Sequence, residues 1–340
     1  MNARPIGIVG GGLAGLSLGL ALRHAGVDVR ILEAGDYPRH RVCGEFITGL
    51  APSTIDRLHL RPLLADAHRH RGVAWFQGAR LLRRETLPAA ALALSRHALD
   101  ARLAAAFTEL GGELLTGQRV DLRERPAGRV FACGRQRARS SWVGLKVHAR
   151  GLALAANLEL HLGREAYVGL CPVEDGWVNV CGLFRVQTGL PADRTAVLPQ
   201  YLRRCGLGAL ADRLAAAEID PASHCAVAGL SFARTLPAPD RLALGDALTM
   251  IPPFTGNGMA IALQSAELSL DPLLAWTRGE RDWPATVTVA NARLQRAFRR
   301  RLRSAAVLHP FLLSPFPQRL LATASRCGVL PTRPLYAALH

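Results

Sequence analysis

Ile6-Gly7-Ile8-Val9-Gly10-Gly11-Gly12-Leu13-Ala14-Gly15 is an apolar run that breaks into glycines and then opens a second apolar run, Leu16 to His24. The first run has the length and residues of a buried strand; the second, rich in alanine and leucine, reads as a helix. Between them Gly10 allows a tight turn, Gly12 lets a pyrophosphate approach the backbone, and Gly15 lets helix and strand pack closely. The helix opening at Leu13 and Ala14 offers unpaired N–H groups and a positive dipole end to phosphates. Gly26 stops the helix, and Val27 to Leu32 reads as a second strand ending at Glu33-Ala34. Glu33 lies about 20 residues past the glycines, where a carboxylate accepts hydrogen bonds from ribose hydroxyls. Strand, glycine turn, helix, strand and acid make a complete dinucleotide-binding unit.

More than two hundred residues later comes Leu242-Ala243-Leu244-Gly245-Asp246, followed by Pro253-Phe254-Thr255-Gly256-Asn257-Gly258-Met259. In this order and separation, the two segments read as two halves of one FAD site. A plain NAD dehydrogenase would explain the first half and not the second.

Composition frames the site. The 340 residues suffice for two lobes, and 49% hydrophobic with 20% charged content suits a globular enzyme. The net charge is +16, but the basic residues are almost all arginine, Lys146 being the only lysine, and they are scattered. That pattern is a solvated basic surface and not a nucleic-acid interface. Arg299-Arg300-Arg301-Leu302-Arg303 is the densest cluster, a solvated helix face or a weak attractor for a membrane surface or another anionic partner. Seven cysteines, Cys43, Cys133, Cys171, Cys181, Cys205, Cys225 and Cys327, include no C-x-x-C. The odd number argues against a disulfide framework, no metal site is expected, and a cytoplasmic location fits. No run reaches the roughly 18 apolar residues of a spanning helix.

The chain weaves between two lobes: an α/β Rossmann-type FAD-binding lobe (1–72, 94–140 and 235–285) and a largely antiparallel β substrate lobe (73–93 and 141–234). A helical segment, 286–340, follows, interrupted by Pro310, Pro315, Pro317, Pro331 and Pro334. Val73 to Leu82 reads as a hairpin, and Ala98 to Leu110 as a helix starting near Ser95 and ending at Gly111-Gly112. Glu113 to Leu115 and Gly128 to Ala132 return to the nucleotide sheet. Trp142 to Phe232 reads as alternating strands, with a turn at Glu174-Asp175-Gly176.

Over roughly residues 5 to 285 the chain resembles the flavoprotein superfamily of p-hydroxybenzoate hydroxylase-type monooxygenases, geranylgeranyl reductases and flavin-dependent halogenases. The resemblance implies that Asp246, after Gly245, serves the flavin ribityl chain. It places Gly256, Asn257, Gly258 and Met259 beside the flavin ring, where N–H groups at a helix start would stabilise negative charge. It also implies flavin contacts from Arg39-His40-Arg41-Val42-Cys43-Gly44-Glu45: Arg41 facing the phosphates or ring edge, Val42 and Cys43 beside it, with Cys43-Gly44 most similar to the reductases. Arg96, at a helix start after Leu94-Ser95, would touch the phosphate or ribityl region through its planar donor fork. Tyr167-Val168-Gly169-Leu170-Cys171-Pro172 would roof the substrate pocket, with Pro253 nearby. Gly169 and Cys171 stand where the reductases carry bulky aromatics.

Two motifs are missing. Ala132-Cys133-Gly134-Arg135 replaces the Asp-Gly segment that hydroxylases use with FAD and NADPH, and the halogenase W-x-W-x-I-P run is absent. Electrons are expected from NADPH or NADH, directly or through a separate reductase or ferredoxin. Among catalytic candidates, Cys43 is a wall residue, a proton donor, a redox thiol or packing alone; Glu45 is a proton relay or a solvated loop carboxylate. His148 and His161 read as satisfied sheet residues. The resulting expectation is an FAD-dependent oxidoreductase hydroxylating an aromatic or lipophilic secondary metabolite. Its alternatives are reduction of a carbon–carbon double bond and a non-catalytic flavin-binding partner.

Overall fold

The computed structural model describes residues 4–135, 138–189, 193–232, 239–314 and 316–318, with 323, 337 and 339. The chain begins β1 (Ile6–Val9), α1 (Leu13–His24), β2 (Val29–Leu32), β3 (Phe46–Ile47) and α2 (Pro52–Arg57). It continues with β4 (His68–Gln77), β5 (Arg80–Ala93), α3 (Arg96–Glu109), β6 (Glu113–Leu115) and β7 (Arg129–Phe131). Then come β8 (Trp142–Arg150), β9 (Leu158–Gly163), β10 (Ala166–Pro172) and β11 (Val178–Arg185). Helices α4 (Arg194–Arg204) and α5 (Gly208–Ala215) precede β12 (Glu218–Ile219), β13 (Cys225–Ala228) and β14 (Leu242–Ala243). Helices α6 (Gly258–Thr277) and α7 (Trp283–Leu313) follow.

The first sheet is parallel throughout, in the order β14-β7-β1-β2-β6. Its central strands carry Ile6, Ile8, Val29, Ile31, Val130 and Phe131, all buried, as strands covered on both faces must be. Helix α1 packs against α3 and α6, so almost its whole surface is apolar. The second sheet runs β12-β8-β11-β10-β9-β4-β5-β3, with β13 also on β8. Its pairs are antiparallel except β4 with β9. Together these make an α/β fold with a parallel first sheet, a mostly antiparallel second sheet and C-terminal helices.

Most expected elements are present, with β4 and β5 reaching well beyond the expected hairpin. One reading needs correction. Residues 142–232 are not strands alone, because α4 and α5 lie within them. Leu198, Tyr201, Leu202 and Cys205, with Leu210, Ala211 and Leu214, set a helical stripe onto Val143, Leu145, Val147 and Val168 of the outer sheet face. Pro310 does not interrupt the C-terminal helix but lies within α7, and 316–318 are again helical. Pro315, Pro331, Pro334 and Cys327 lie outside the described residues, as does most of 319–340. So do 1–3, 136–137 and 235–238 of the expected nucleotide lobe. The other six cysteines are free thiols. No helix of the described residues is long and apolar enough to cross a membrane.

Candidate active site

The glycine turn is dictated by close approach. Gly10 adopts φ 106°, and a Cβ there would meet the Ala132 carbonyl oxygen at 2.3 Å. A Cβ on Gly15 would stand 2.0 Å from the Gly10 carbonyl oxygen. At Gly12 the space is open: the one atom within 4 Å of a Cβ position is Arg96 Nη2, at 3.8 Å. Helix α1 has no side-chain cap, so its first N–H groups, at Leu13 and Ala14, are left for an anion. Buried Glu33 accepts from the Gly11 N–H at 2.7 Å and the Gly35 N–H at 2.9 Å, and Arg39 approaches at 3.4 Å. The carboxylate expected to take ribose hydroxyls therefore also clamps the glycine turn. Ala34 beside it is exposed.

The second half meets the first directly. A Cβ on Gly245, whose φ is 56°, would lie 3.3 Å from the Ala14 Cβ. Asp246 reaches water yet sits deep among protein atoms. That setting raises its carboxyl above the ordinary range by desolvation, against the pull of Arg96 and Arg135. Burial opposes the charge on Arg96, but its bidentate pair with Asp100, both bonds 2.7 Å, outweighs that and raises its pKa. Arg41 joins the same carboxylate at 3.0 Å. Arg96 thus stands between Gly12 and Asp246, while Arg41 is held by Asp100 and lies 4.0 Å from Glu33.

Gly256, at φ 66°, accepts the Phe46 ring so closely that a Cβ would be 2.3 Å from it. Gly258 is exposed with nothing within 4 Å of a Cβ position, and α6 starts there without a side-chain cap. Asn257 is buried, its amide donating to the Leu339 carbonyl at 2.9 Å; its Oδ1 has no partner among the described residues. Met259 is buried and Pro253 exposed. Two open glycine positions, two uncapped helix starts and a desolvated carboxylate at Asp246 fit FAD.

Alternation turns Tyr167, Gly169 and Cys171 of β10 to one sheet face. They stand level with Leu183, Cys181 and Asn179 of β11, and then with Gly144, Lys146 and His148 of β8. This face meets the Cys43 loop: the Asn179 amide donates to the Cys43 carbonyl at 3.0 Å, and Val42 fills the space left by Gly144. Pro172 falls on the opposite face, its carbonyl accepting from His70 at 2.9 Å. A Cβ on Gly169 would meet only backbone oxygens, at 3.9 and 4.0 Å, while Trp75, Leu160, Phe232 and Phe254 gather in one apolar cluster with Tyr167.

Residues 4–98 match the FAD binding domain family. The menaquinone reductase of Mycolicibacterium smegmatis is 30% identical over 138 residues, 39% of this chain and 34% of that protein. A Mycobacterium tuberculosis menaquinone reductase is 30% identical over 117 residues, 33% of this chain and 29% of its own length, so the match spans about a third of these relatives. Whole-chain similarity is structural. The p-nitrophenol 4-monooxygenase of Pseudomonas putida superposes with a TM-score of 0.76 at 14% identity, covering 100% of this chain and 97% of that one. A geranylgeranyl bacteriochlorophyll reductase-like protein of Thermoplasma acidophilum gives 0.74 at 17%, covering 98% and 95%. The chain thus carries an FAD binding domain match at its N-terminus and shares the fold of flavin-dependent monooxygenases and reductases.

Glu45 is not a solvated loop carboxylate. It is fully buried, turned inward by a left-handed φ of 57°. It receives the Lys146 ammonium at 2.6 Å, His148 Nε2 at 2.7 Å and the Arg96 backbone N–H at 2.9 Å. Burial alone would raise its pKa; the His148 hydrogen bond and the Lys146 charge outweigh that and hold it below the usual carboxylate range. Burial pushes the neighbouring Cys43 thiol up, against Arg96, which favours a neutral wall or donor over a reactive thiolate. His148 is thus satisfied by Glu45, and His161 by Glu159 at 2.8 Å and by stacking on Phe76. Lys146 is the residue sequence reasoning passed over. Its signal was its solitude in an arginine-rich chain, two positions before His148 on an alternating strand. His40, His148 and Asp220 bring ligand-type atoms within 4.8 Å of one another, but Lys146 faces His40, Glu45 holds His148 and Asp220 approaches His40 at 3.4 Å, so the cluster reads as a charge network.

Proposed function

We propose that this protein is an FAD-dependent reductase that adds two hydrogens to a carbon–carbon double bond of a lipophilic substrate of the menaquinone or isoprenoid kind. The observation that carries this reading is the buried Lys146–Glu45 pair on the sheet face against the Cys43 loop, a proton source where reduction of carbon needs one. The sequence alone leans toward hydroxylation; Lys146 and the menaquinone reductase relatives move the balance to reduction. Bound FAD supplies the two-electron chemistry. Arg96 and the first N–H groups of α1 hold the phosphate charge, Asp246 accepts from the ribityl hydroxyls, and the start of α6 faces the negative end of the ring. Trp75, Leu160, Tyr167 and Leu183 give the substrate an apolar wall and exclude water. NADPH, NADH or a separate reductase delivers the electrons.

Helix α7 supports access for a lipid. Arg296, Arg300, Arg303, Val307 and Phe311 recur at helical spacing and are all exposed, while His309, Leu312 and Leu313 on its other side are buried. A basic stripe running into an apolar one suits an anionic membrane surface. Flotation with phosphatidylglycerol vesicles, lost on Arg300→Glu, checks this; equal flotation with phosphatidylcholine vesicles counts against it.

Hydroxylation of an aromatic ring is the second reading, favoured by His309. Its Nε2 is buried with no partner among the described residues, inside a ring of Trp142, Tyr167, Phe232 and Phe254. Such a box could seat a phenol. Anaerobic incubation of the reduced protein with menaquinone decides between the two. A product still heavier by two hydrogens after the quinol has been reoxidised in air is expected; turnover only with oxygen, giving a product heavier by one oxygen, overturns the reductase reading.

A further inference from the structure

Lys146 is the single lysine of the chain, and its side chain is wholly buried. It lies level with Cys181 on β11 and Cys225 on β13. Its Nζ contacts Glu45 Oε1 at 2.6 Å and His40 Nδ1 at 3.5 Å. An ammonium only donates, so His40 Nδ1 accepts and the proton of the neutral ring sits on Nε2. That Nε2 is 3.4 Å from Asp220 Oδ2, and Asp220 is 23% exposed. Glu45, Lys146 and His40 are therefore joined by hydrogen bonds, and the 3.4 Å approach of His40 to Asp220 carries the line from the sheet face against the Cys43 loop to solvent.

We propose that Lys146 and His40 relay protons between solvent at Asp220 and the substrate side of the flavin site. Transfer from Lys146 to His40 Nδ1, with release from Nε2 to Asp220, moves one proton outward. When Lys146 has instead given its proton to substrate, the ring first passes from the Nε2–H to the Nδ1–H tautomer, then gives the Nδ1 proton to Nζ and takes one at Nε2 from Asp220, which reloads the amine. The use made of the proton rests on the proposed reductase function. Reducing a double bond adds a hydride to one carbon and a proton to the other; the hydride is the flavin's part, and the proton leaves Lys146 and is replaced from solvent.

The surroundings suit this task. Burial, with the charge of Lys146, lowers His40 to about 4, so its ring is neutral and can both accept and donate. The other titratable neighbours are His148 on the same strand, His97 stacked on His40 at 4.4 Å, and the thiols of Cys43, Cys181 and Cys225. Burial raises all three thiols, which keeps them protonated and out of the path. Arginine could not replace Lys146, because a guanidinium does not give up its proton in proteins.

One lysine means one Nζ resonance. The FAD-loaded protein, labelled with side-chain 15N-lysine, reports how fast Lys146 exchanges protons with water. Exchange in His40→Asn should be at least about tenfold slower than in the wild type. Asp220→Asn, at the exposed end, should slow it in the same direction, and imidazole added to His40→Ala should restore it. A purely structural ion pair would exchange at the same slow rate in all of them, and equal rates in wild type and Asp220→Asn would overturn the relay. Relayed exchange in a protein that reduces no menaquinone would keep the path and remove the reductase function.

Discussion

Asp246 and Glu45 are two carboxylates on either side of Arg96, and they stand in opposite electrostatic conditions. Glu45 is sealed in the protein with a donor for every acceptor it offers: Lys146, His148 and the Arg96 N–H. Asp246 is set deep, raised in pKa, and reaches water without a hydrogen-bonded cation among the described residues. The first is finished by the fold, the second by a ligand. A site built for binding keeps some of its polar groups uncompensated, whereas a group that orders the fold cannot be left so.

The largest expected effect comes from breaking the finished one. Glu45→Ala strands the Lys146 charge and costs about 3–5 kcal/mol of stability, measured by urea unfolding. Replacing both partners, as in Glu45→Leu with Lys146→Met, should recover most of that loss, because two apolar groups need no compensation. A single-variant loss below about 1 kcal/mol would place the pair among exposed ion pairs and dissolve the contrast.

Asp246→Asn should do the reverse. FAD affinity falls about tenfold to a hundredfold, while the stability of the FAD-free protein holds or rises. Fluorescence titration with FAD and thermal unfolding of the stripped protein check both halves. Unchanged affinity would mean that the carboxylate does not serve the ribityl chain.

The two carboxylates also differ in how far the sequence discloses them. Asp246 follows Gly245 at the end of a short apolar run and precedes a glycine loop, so its place is written in local order. The same holds for Gly10, Gly12, Gly15 and Glu33, whose geometry the backbone imposes within one strand, turn and helix. Glu45 meets Lys146 and His148 across separations of 101 and 103 residues, and no periodicity encodes such a pairing. Its loop surroundings suggested solvent; a left-handed backbone turned it inward. Helix α4 was hidden differently. Pro199 sits inside it, and its buried positions Leu198, Tyr201, Leu202 and Cys205 stand in a stretch dominated by strand-like runs. Arg96 was legible as a candidate cofactor contact, and Asp100, four residues on, holds its guanidinium at 2.7 Å.

The smallest effect expected is one of pH, and it carries the contrast into solution. His40 and His309 are both lowered from 6.5 to about 4, chiefly by burial. Between those values the unfolded chain binds more protons than the folded one, so stability rises with pH and is lost as pH falls from about 6.5 toward 4. Glu45, held low, adds to the acid loss once pH drops through the carboxylate range. Asp246, pushed up, works against it: the folded protein takes up its proton earlier than the unfolded chain, and that relief grows as pH falls. The melting temperature of the FAD-free protein should therefore decline from neutral pH toward pH 4. His309→Phe, which fills the same aromatic box without binding a proton, should flatten part of that decline. Asp246→Asn should steepen it, because a deep-set carboxyl that gains from acid is gone. A melting temperature that stays level across this window in the wild type would show that neither histidine is held neutral by the fold.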